Sequence, residues 1–239
     1  MMPPGIPGGA FGPPSIALRD ALFGQQLNEN RRRTAPPVAR FVSENGESFT
    51  LDRSSNQPLL RFDGSGEVWA LEASAAPRGD TIYKNDLGEP VLRATRLGGL
   101  TVFTNSQPSG MAAALLGNGQ PLRLPAISPQ ELIITVARAT ERIGRAAKHS
   151  ILITIDASDE GAPLVADAAN RAADAIVKMA GKRANKPFVD KIAKIDIREG
   201  RKPSATMSND GVVRILVTPD MGVAGRPSSE RIMLASRGK

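Results

Sequence analysis

Cysteine is absent from the 239 residues. That excludes disulfides, thiol nucleophiles, zinc–cysteine centres and iron–sulfur ligation. It leaves the compartment open, because a cysteine-free chain is at home on either side of a membrane. Histidine occurs once, as His149. A multi-histidine metal site is therefore excluded, and a Ser-His-Asp triad would have to use that one residue. Aromatic residues are 4% of the chain, with one Trp and one Tyr, so base-stacking surfaces and aromatic-lined grooves are poorly supplied. No stretch approaches the roughly 18 apolar residues of a membrane span. The start, MMPPGIPGGAFGPPSIALRDALFG, lacks the basic n-region and apolar h-region of a secretory signal. No P-loop, dinucleotide fingerprint or helix-turn-helix pattern is present.

Hydrophobic residues are 41%, enough for a core, and the length suits one large domain or two small ones. Lys and Arg number 31 against 24 Asp and Glu, a net charge of +7. Such a balance favours polyanionic partners, nucleic acid or an anionic membrane surface. It serves plain solubility equally well.

Periodicity divides the chain into three parts. Residues 1–37 read as a flexible N-terminal arm with a Pro/Gly-rich start, a short helix over SIALRDALFGQQL (15–27) and a basic linker carrying Arg31, Arg32 and Arg33. Residues 38–125 alternate with period two. VARFVSENGESFTLDR is strand, Asn-Gly turn, strand, and the form recurs around Gly64–Gly66 and Asp86–Gly88. The expectation is an antiparallel β meander or small barrel of six or seven strands, with GMAAALLGNG (110–119) as a short helix across one end. Its 8 basic and 9 acidic residues over 38–124 nearly cancel.

Residues 126–239 change character at Ser128. SPQE is a capping box, and the helix it opens should run to about Lys148, with Leu132, Val136, Ile143 and Ala147 on one face. SILITI reads as a central, doubly covered strand. An Ala-rich helix, a second strand and a hairpin at Asn209–Gly211 follow. RIMLAS is a last strand or helical turn. The fold class is therefore α+β: the β meander or barrel, then a small α/β sandwich with two main helices on one face of a mixed sheet.

The segments FVSENGESFTLDRS, LLRFDGSGEVWALE, RGDTIYKNDLGEPVLRATRLGGLTVF and VTPDMGVAGRPSSERI resemble a bacterial family known only as a domain of unknown function, found mainly in alphaproteobacteria. The resemblance runs from about Ile16 to the C-terminus and carries no catalytic residues with it. Members of that family begin with a secretory signal followed by a segment like LRDALFG, which implies an envelope location. The Pro/Gly-rich start departs from that pattern and leaves a cytoplasmic location open.

Four groups are candidate sites. Asp156, Asp159 and Glu160, in DASDEG after a strand, offer carboxylates to a hard cation such as magnesium. They lack the ligand spacing of a calcium loop, and Ser158 or Asp159 as a helix cap explains them without a ligand. Residues 178–202 hold nine Lys or Arg and three acids. Among them Lys178, Lys182, Arg183 and Lys186, joined by Arg201 and Lys202, would form a basic ridge. With Arg31, Arg32 and Arg33 it would suit phosphates, an anionic surface or an acidic protein. The ordinary role of the ridge is a solvated helix end. His149 reads as a helix C-cap, and the serines of GRPSSERI as a helix cap with Glu230 in the first turn.

The expected function is a non-catalytic binding or structural module of the bacterial envelope, not an enzyme and without a cofactor. One alternative is a cytosolic nucleic-acid-associated protein using the basic patch. Another is a metal-dependent hydrolase around Asp156, Asp159 and His149.

Overall fold

The structure, a computed structural model, describes residues 35–238. The N-terminal helix and Arg31, Arg32 and Arg33 lie outside the described residues. From Pro36 onward the chain forms one compact unit.

Alternation produces the β layer as the sequence implies. Strand β1 (Val38–Ser43) buries Ala39, Phe41 and Ser43 and exposes Arg40. It turns at Gly46, whose φ of 86° suits glycine, into β2 (Ser48–Asp52). Then come β3 (Leu59–Phe62), β4 (Trp69–Ala70), β5 (Glu72–Ala76), β6 (Asp80–Lys84), β7 (Pro90–Ala94), β8 (Leu100–Thr104) and β9 (Gln107–Asn118). The order across the sheet is β4-β3-β2-β1-β9-β8-β7-β6-β5.

Its two terminal members, β4 and β5, are separated in sequence by Leu71 alone. One bent strand thus pairs with β3 through Trp69–Ala70 and with β6 through its second half. Counted as one strand, it closes the sheet into a nearly complete barrel of eight strands, which leaves almost no open edge. Leu71, with no exposed surface, fills the bend, and Phe49, Leu51, Leu60, Leu92 and Val102 are buried with it.

The helix expected over 110–119 is instead the long strand β9. Alanine favours helix, but both flanks of this segment meet strands needing partners, β8 on one side and β1 on the other. Pairing on both sides outweighs a propensity worth tenths of a kcal/mol per residue.

The second layer begins with helix α1 (Pro129–Ala147). Its capping box is complete: the Glu131 amide donates to Ser128 Oγ at 3.2 Å, and the Ser128 amide donates to Glu131 Oε2 at 2.7 Å. Strand β10 (Leu152–Asp156), helix α2 (Ala162–Ala180), the single-turn α3 (Lys186–Val189), strands β11 (Lys194–Glu199), β12 (Ser204–Met207) and β13 (Val212–Val217), and helix α4 (Ser229–Ala235) follow. The sheet order is β10-β11-β13-β12, with β10, β11 and β13 parallel and β12 antiparallel. Helix α1 packs on α2 and over β10, α2 over β11 and β13, and α4 beside α2 over β12. Ala168, Ala169, Ala172 and Ala175 of α2 have no exposed surface, so the helix lies close on the sheet.

One expectation fails here. SILITI is not a central strand: β10 is an edge of its sheet, and Leu152 is 59% exposed. Apolar runs do not say which strands become neighbours.

The two layers meet along β3 and β4, where Leu59, Leu122, Val223 and Ala224 form a small buried cluster. Asp52 secures the connector by accepting the Leu122 amide at 2.8 Å. Burial alone would raise its pKa, but hydrogen bonds from Ser54 and Leu122 outweigh this and hold the carboxyl below the usual range.

The closing bend gives a direct prediction. Leu71→Ala should cost about 2–5 kcal/mol. Urea denaturation followed by Trp69 fluorescence measures it, and a loss under about 1 kcal/mol would mean the bend is not part of the core.

Candidate functional site: the barrel mouth and its charged junction

Adjacent strands of an up-and-down barrel alternate in direction, so every second connection emerges at the same end. Here the loops after β1, β3, β6 and β8 gather at one mouth. Asparagine side chains shape two of them. Asn45 Oδ1 accepts from the Glu47 amide at 3.1 Å, and Asn85 Oδ1 accepts from the Leu87 and Glu89 amides at 3.0 and 2.9 Å.

An aromatic ladder leads to that mouth. Phe41, Phe49 and Phe62 share one register across β1, β2 and β3. Phe41 stacks on Phe49 with centroids 5.5 Å apart, Phe49 meets Phe62 at 5.5 Å, and Phe62 meets Trp69 edge-on at 5.9 Å. Phe62 and Trp69 are half-buried and line an open cleft of about 580 Å³. Phe103 forms another wall. Its ring lies against Gly110, where a Cβ would come within 2.7 Å of the ring and the φ is +85°.

The remaining walls include Glu47, Glu89 and Glu230, and none of the described lining residues is Lys or Arg. Asn85 Nδ2 donates to Glu89 Oε2 at 3.1 Å. Burial raises the pKa of Glu230. Its neighbours Glu67, Glu89 and Asp86 add to that, and nearby Lys178 opposes it. A barrel mouth with aromatic walls and a few convergent polar groups is a common place for a ligand.

The mouth is braced from behind by buried charge. The Arg226 side chain is 1% exposed. Its Nη1 donates to Glu67 Oε1 at 2.7 Å, its Nε to Asp167 Oδ2, and its Nη2 to the Val68 carbonyl at 3.2 Å. Burial alone would lower its pKa. The Asp167 and Glu67 carboxylates more than offset that, so the guanidinium stays charged. Glu67 Oε2 also accepts the Ser229 amide at 3.1 Å. Arg171 on α2 extends the cluster, 3.0 Å from Asp174 and 3.6 Å from Asp167.

Beside it, the Ser228 amide and Oγ both donate to Asp86, at 2.9 and 2.8 Å, and Ser228 Oγ accepts the Arg231 amide as the α4 cap. The Arg231 guanidinium donates to the Asp86 carbonyl. GRPSSERI is thus a clasp. It caps α4 as the sequence suggests and also ties the loops after β3 and β6 to α2.

The other sequence candidates lie elsewhere. Asp156, Asp159 and Glu160 are exposed, and no group of three His, Asp or Glu among the described residues converges as metal ligands. Ser158 donates its amide and Oγ to Glu199 Oε1 at 2.6 and 2.7 Å and accepts the Gly161 amide at 3.0 Å. Helix α2 therefore starts later than expected, with Gly161 as N-cap and no acid in its first turn.

His149 follows α1, its Nδ1 3.2 Å from the Ala147 carbonyl and its Nε2 3.1 Å from the Ile192 carbonyl. It joins α1 to the approach to β11 and meets no acid.

The basic ridge is divided. Lys182, Arg183 and Lys186 follow α2 and precede β11, whereas Arg201 and Lys202 come after β11, beyond its other end. Lys186 pairs with Asp190 at 3.1 Å, and Lys178 Nζ donates to Ser229 Oγ at 3.2 Å.

Sequence reading missed the mouth because it counted aromatics instead of placing them. The available signal was Phe62 and Trp69 flanking one turn segment.

Two predictions follow from this geometry. Arg226→Met leaves Glu67 and Asp167 with only the more distant Arg171 and should cost about 3–5 kcal/mol. Adding Glu67→Gln and Asp167→Asn should recover part of the loss, and an Arg226→Met variant as stable as the parent would contradict the bracing role. The raised pKa of Glu230 means the folded state holds its proton more tightly than the unfolded state. Stability therefore falls as pH rises from its ordinary 4.5 through the raised value. Glu230→Gln should raise Tm at neutral pH, and the difference should vanish below pH 4.5.

No curated protein and no solved structure matches the chain. A family model described as "Domain of unknown function (DUF4908)" matches residues 17–236, nearly the whole length, and the chain belongs to that family.

Proposed function

We propose that the chain is a non-catalytic binding module that takes a compact organic cation, an ammonium or guanidinium on an apolar body, at the mouth of its barrel. The observation that carries this reading is the lining of the cleft: rings of Phe62, Trp69 and Phe103 beside Glu47, Glu89 and Glu230, with no opposing Lys or Arg in that wall. An aromatic face attracts a cation by about 0.5–2 kcal/mol, more as water is displaced. The carboxylates add attraction over the same volume and repel phosphate. That weighs against nucleic acid at this cleft, and the division of the basic ridge weighs against a continuous phosphate track elsewhere.

Two described side chains with nucleophile or base chemistry are held in structural roles, which fits a non-catalytic reading. Ser229, beside Lys178, is 1% exposed, and the ring nitrogens of His149 face backbone carbonyls. The reading is the same for an envelope protein, as the resemblance implies, and for a cytosolic one.

Trp69 is the one tryptophan in the chain, so its emission reports on the mouth alone. Titration with benzyltrimethylammonium should give a saturable change at least about tenfold tighter than with neutral benzyl alcohol or anionic benzenesulfonate, a difference of about 1.4 kcal/mol. Glu89→Gln with Glu230→Gln should weaken the cation several-fold and leave the neutral probe unchanged. Equal affinity for all three probes would refute the charge preference. No saturable response to any would refute the mouth as a binding site.

A further inference from the structure

The barrel is nearly closed on itself, so among the described residues the open edges lie in the α/β layer, at β10 and β12. Natural edges are guarded by shortness, proline, inward charge or a covering element. Strand β12 has such guards: it is four residues long, follows Pro203, and lies beneath α4. Strand β10 lies beneath α1 and is one residue longer, but it has no proline and no inward charge to block a further strand. Its sequence, Leu-Ile-Thr-Ile-Asp, contains no proline or lysine and is rich in β-branched residues.

Exposed apolar side chains occur on both elements at this edge. Leu152 of β10 is 59% exposed, and Ile133 and Ile134 of α1, the outermost helix over β10, are 65% and 48% exposed. These are three of the eight large hydrophobic side chains exposed among the described residues.

The ends of β10 differ in charge. Exposed Lys148 precedes the strand, and Asp156, Asp159 and Glu160 stand exposed at and after its C-terminal end. A second strand laid parallel would set like charges together. A second copy laid antiparallel, about a two-fold axis normal to the sheet, sets the acidic end of each strand beside the basic end of the other. The edge is thus complementary to itself, as an isologous interface requires.

We propose that two copies of this chain pair antiparallel through β10, joining two four-stranded sheets into one continuous sheet with the two α1 helices side by side above it. The pairing supplies strand partners for an edge that no described strand covers, and it shields Leu152. It also gives the carboxylates of DASDEG a role, as the acidic half of a reciprocal contact.

The test is the mass of the full chain by light scattering or sedimentation, from about 1 µM to about 100 µM, the range in which a modest interface dissociates. A concentration-dependent rise to twice the chain mass is expected. Leu152→Lys, at an exposed position, should shift the protein to monomer with an unchanged far-ultraviolet circular dichroism spectrum. Lys148→Glu and Asp156→Lys should each weaken the dimer several-fold, and the double variant should recover it, a reciprocity that a purely structural role would not produce. A monomer at every concentration, or a dimer indifferent to Leu152→Lys, would overturn the proposal.

Discussion

A guanidinium with almost no contact with water holds this molecule together. Arg226 is 1% exposed at its side chain, and such a charge is tolerable only where anions and carbonyls replace its hydration. Its partners come from distant parts of the chain. Glu67 is 159 residues away, in a loop of the barrel, and Asp167 lies on the first turns of α2. Satisfying one cation therefore fixes the barrel against the α/β layer. Among the described residues the apolar contact between the layers is the cluster of Leu59, Leu122, Val223 and Ala224, with Val68, Ala70 and Leu124 packed against it. Apolar packing is non-directional, so the orientation of the layers rests on the directional bonds of Arg226, Ser228 and Arg231.

The same clasp shapes the mouth. Glu67 and Asp86 sit in two of the loops that gather there, and Glu230 stands two residues after Ser228, which Asp86 holds. The α/β layer is thus more than a companion to the barrel, since it contributes a wall to the cleft. Carboxylates crowd on that side: Glu67 is neutralised by Arg226, while Glu230 and Glu89 face open space with less compensation. A carboxyl whose pKa is raised by burial and like charge, as at Glu230, marks a place where a protein keeps an acid at some cost to its stability. A cationic ligand would relieve that cost.

Local patterns were legible in the sequence, and long-range pairings were not. The Asn-Gly turn at 45–46, the Ser128 capping box, the Ser228 cap and the Asn209–Gly211 hairpin all stand where residue chemistry puts them. Each depends on residues within a few positions of one another. The failures all depend on partners far along the chain. The segment 110–119 became a strand because two strands claimed it, and SILITI an edge because no described strand took its outer side. Composition misled in one respect. A chain with few aromatic residues looked unable to line a groove, yet the fold spends Phe41, Phe49, Phe62, Trp69 and Phe103 in one region.

If Arg226 makes barrel and α/β layer a single body, they must unfold together. Trp69 reports on the barrel, and circular dichroism at the helical minimum reports on α1 and α2, since the described α-helices all lie in the second layer. The decisive measurement is urea unfolding followed by both signals on one sample. Superimposable transitions with one midpoint and one slope are the predicted result. Loss of the Trp69 signal well before the helical signal, or well after it, would contradict the account, because the layers would then be stable apart and the mouth would not depend on the clasp.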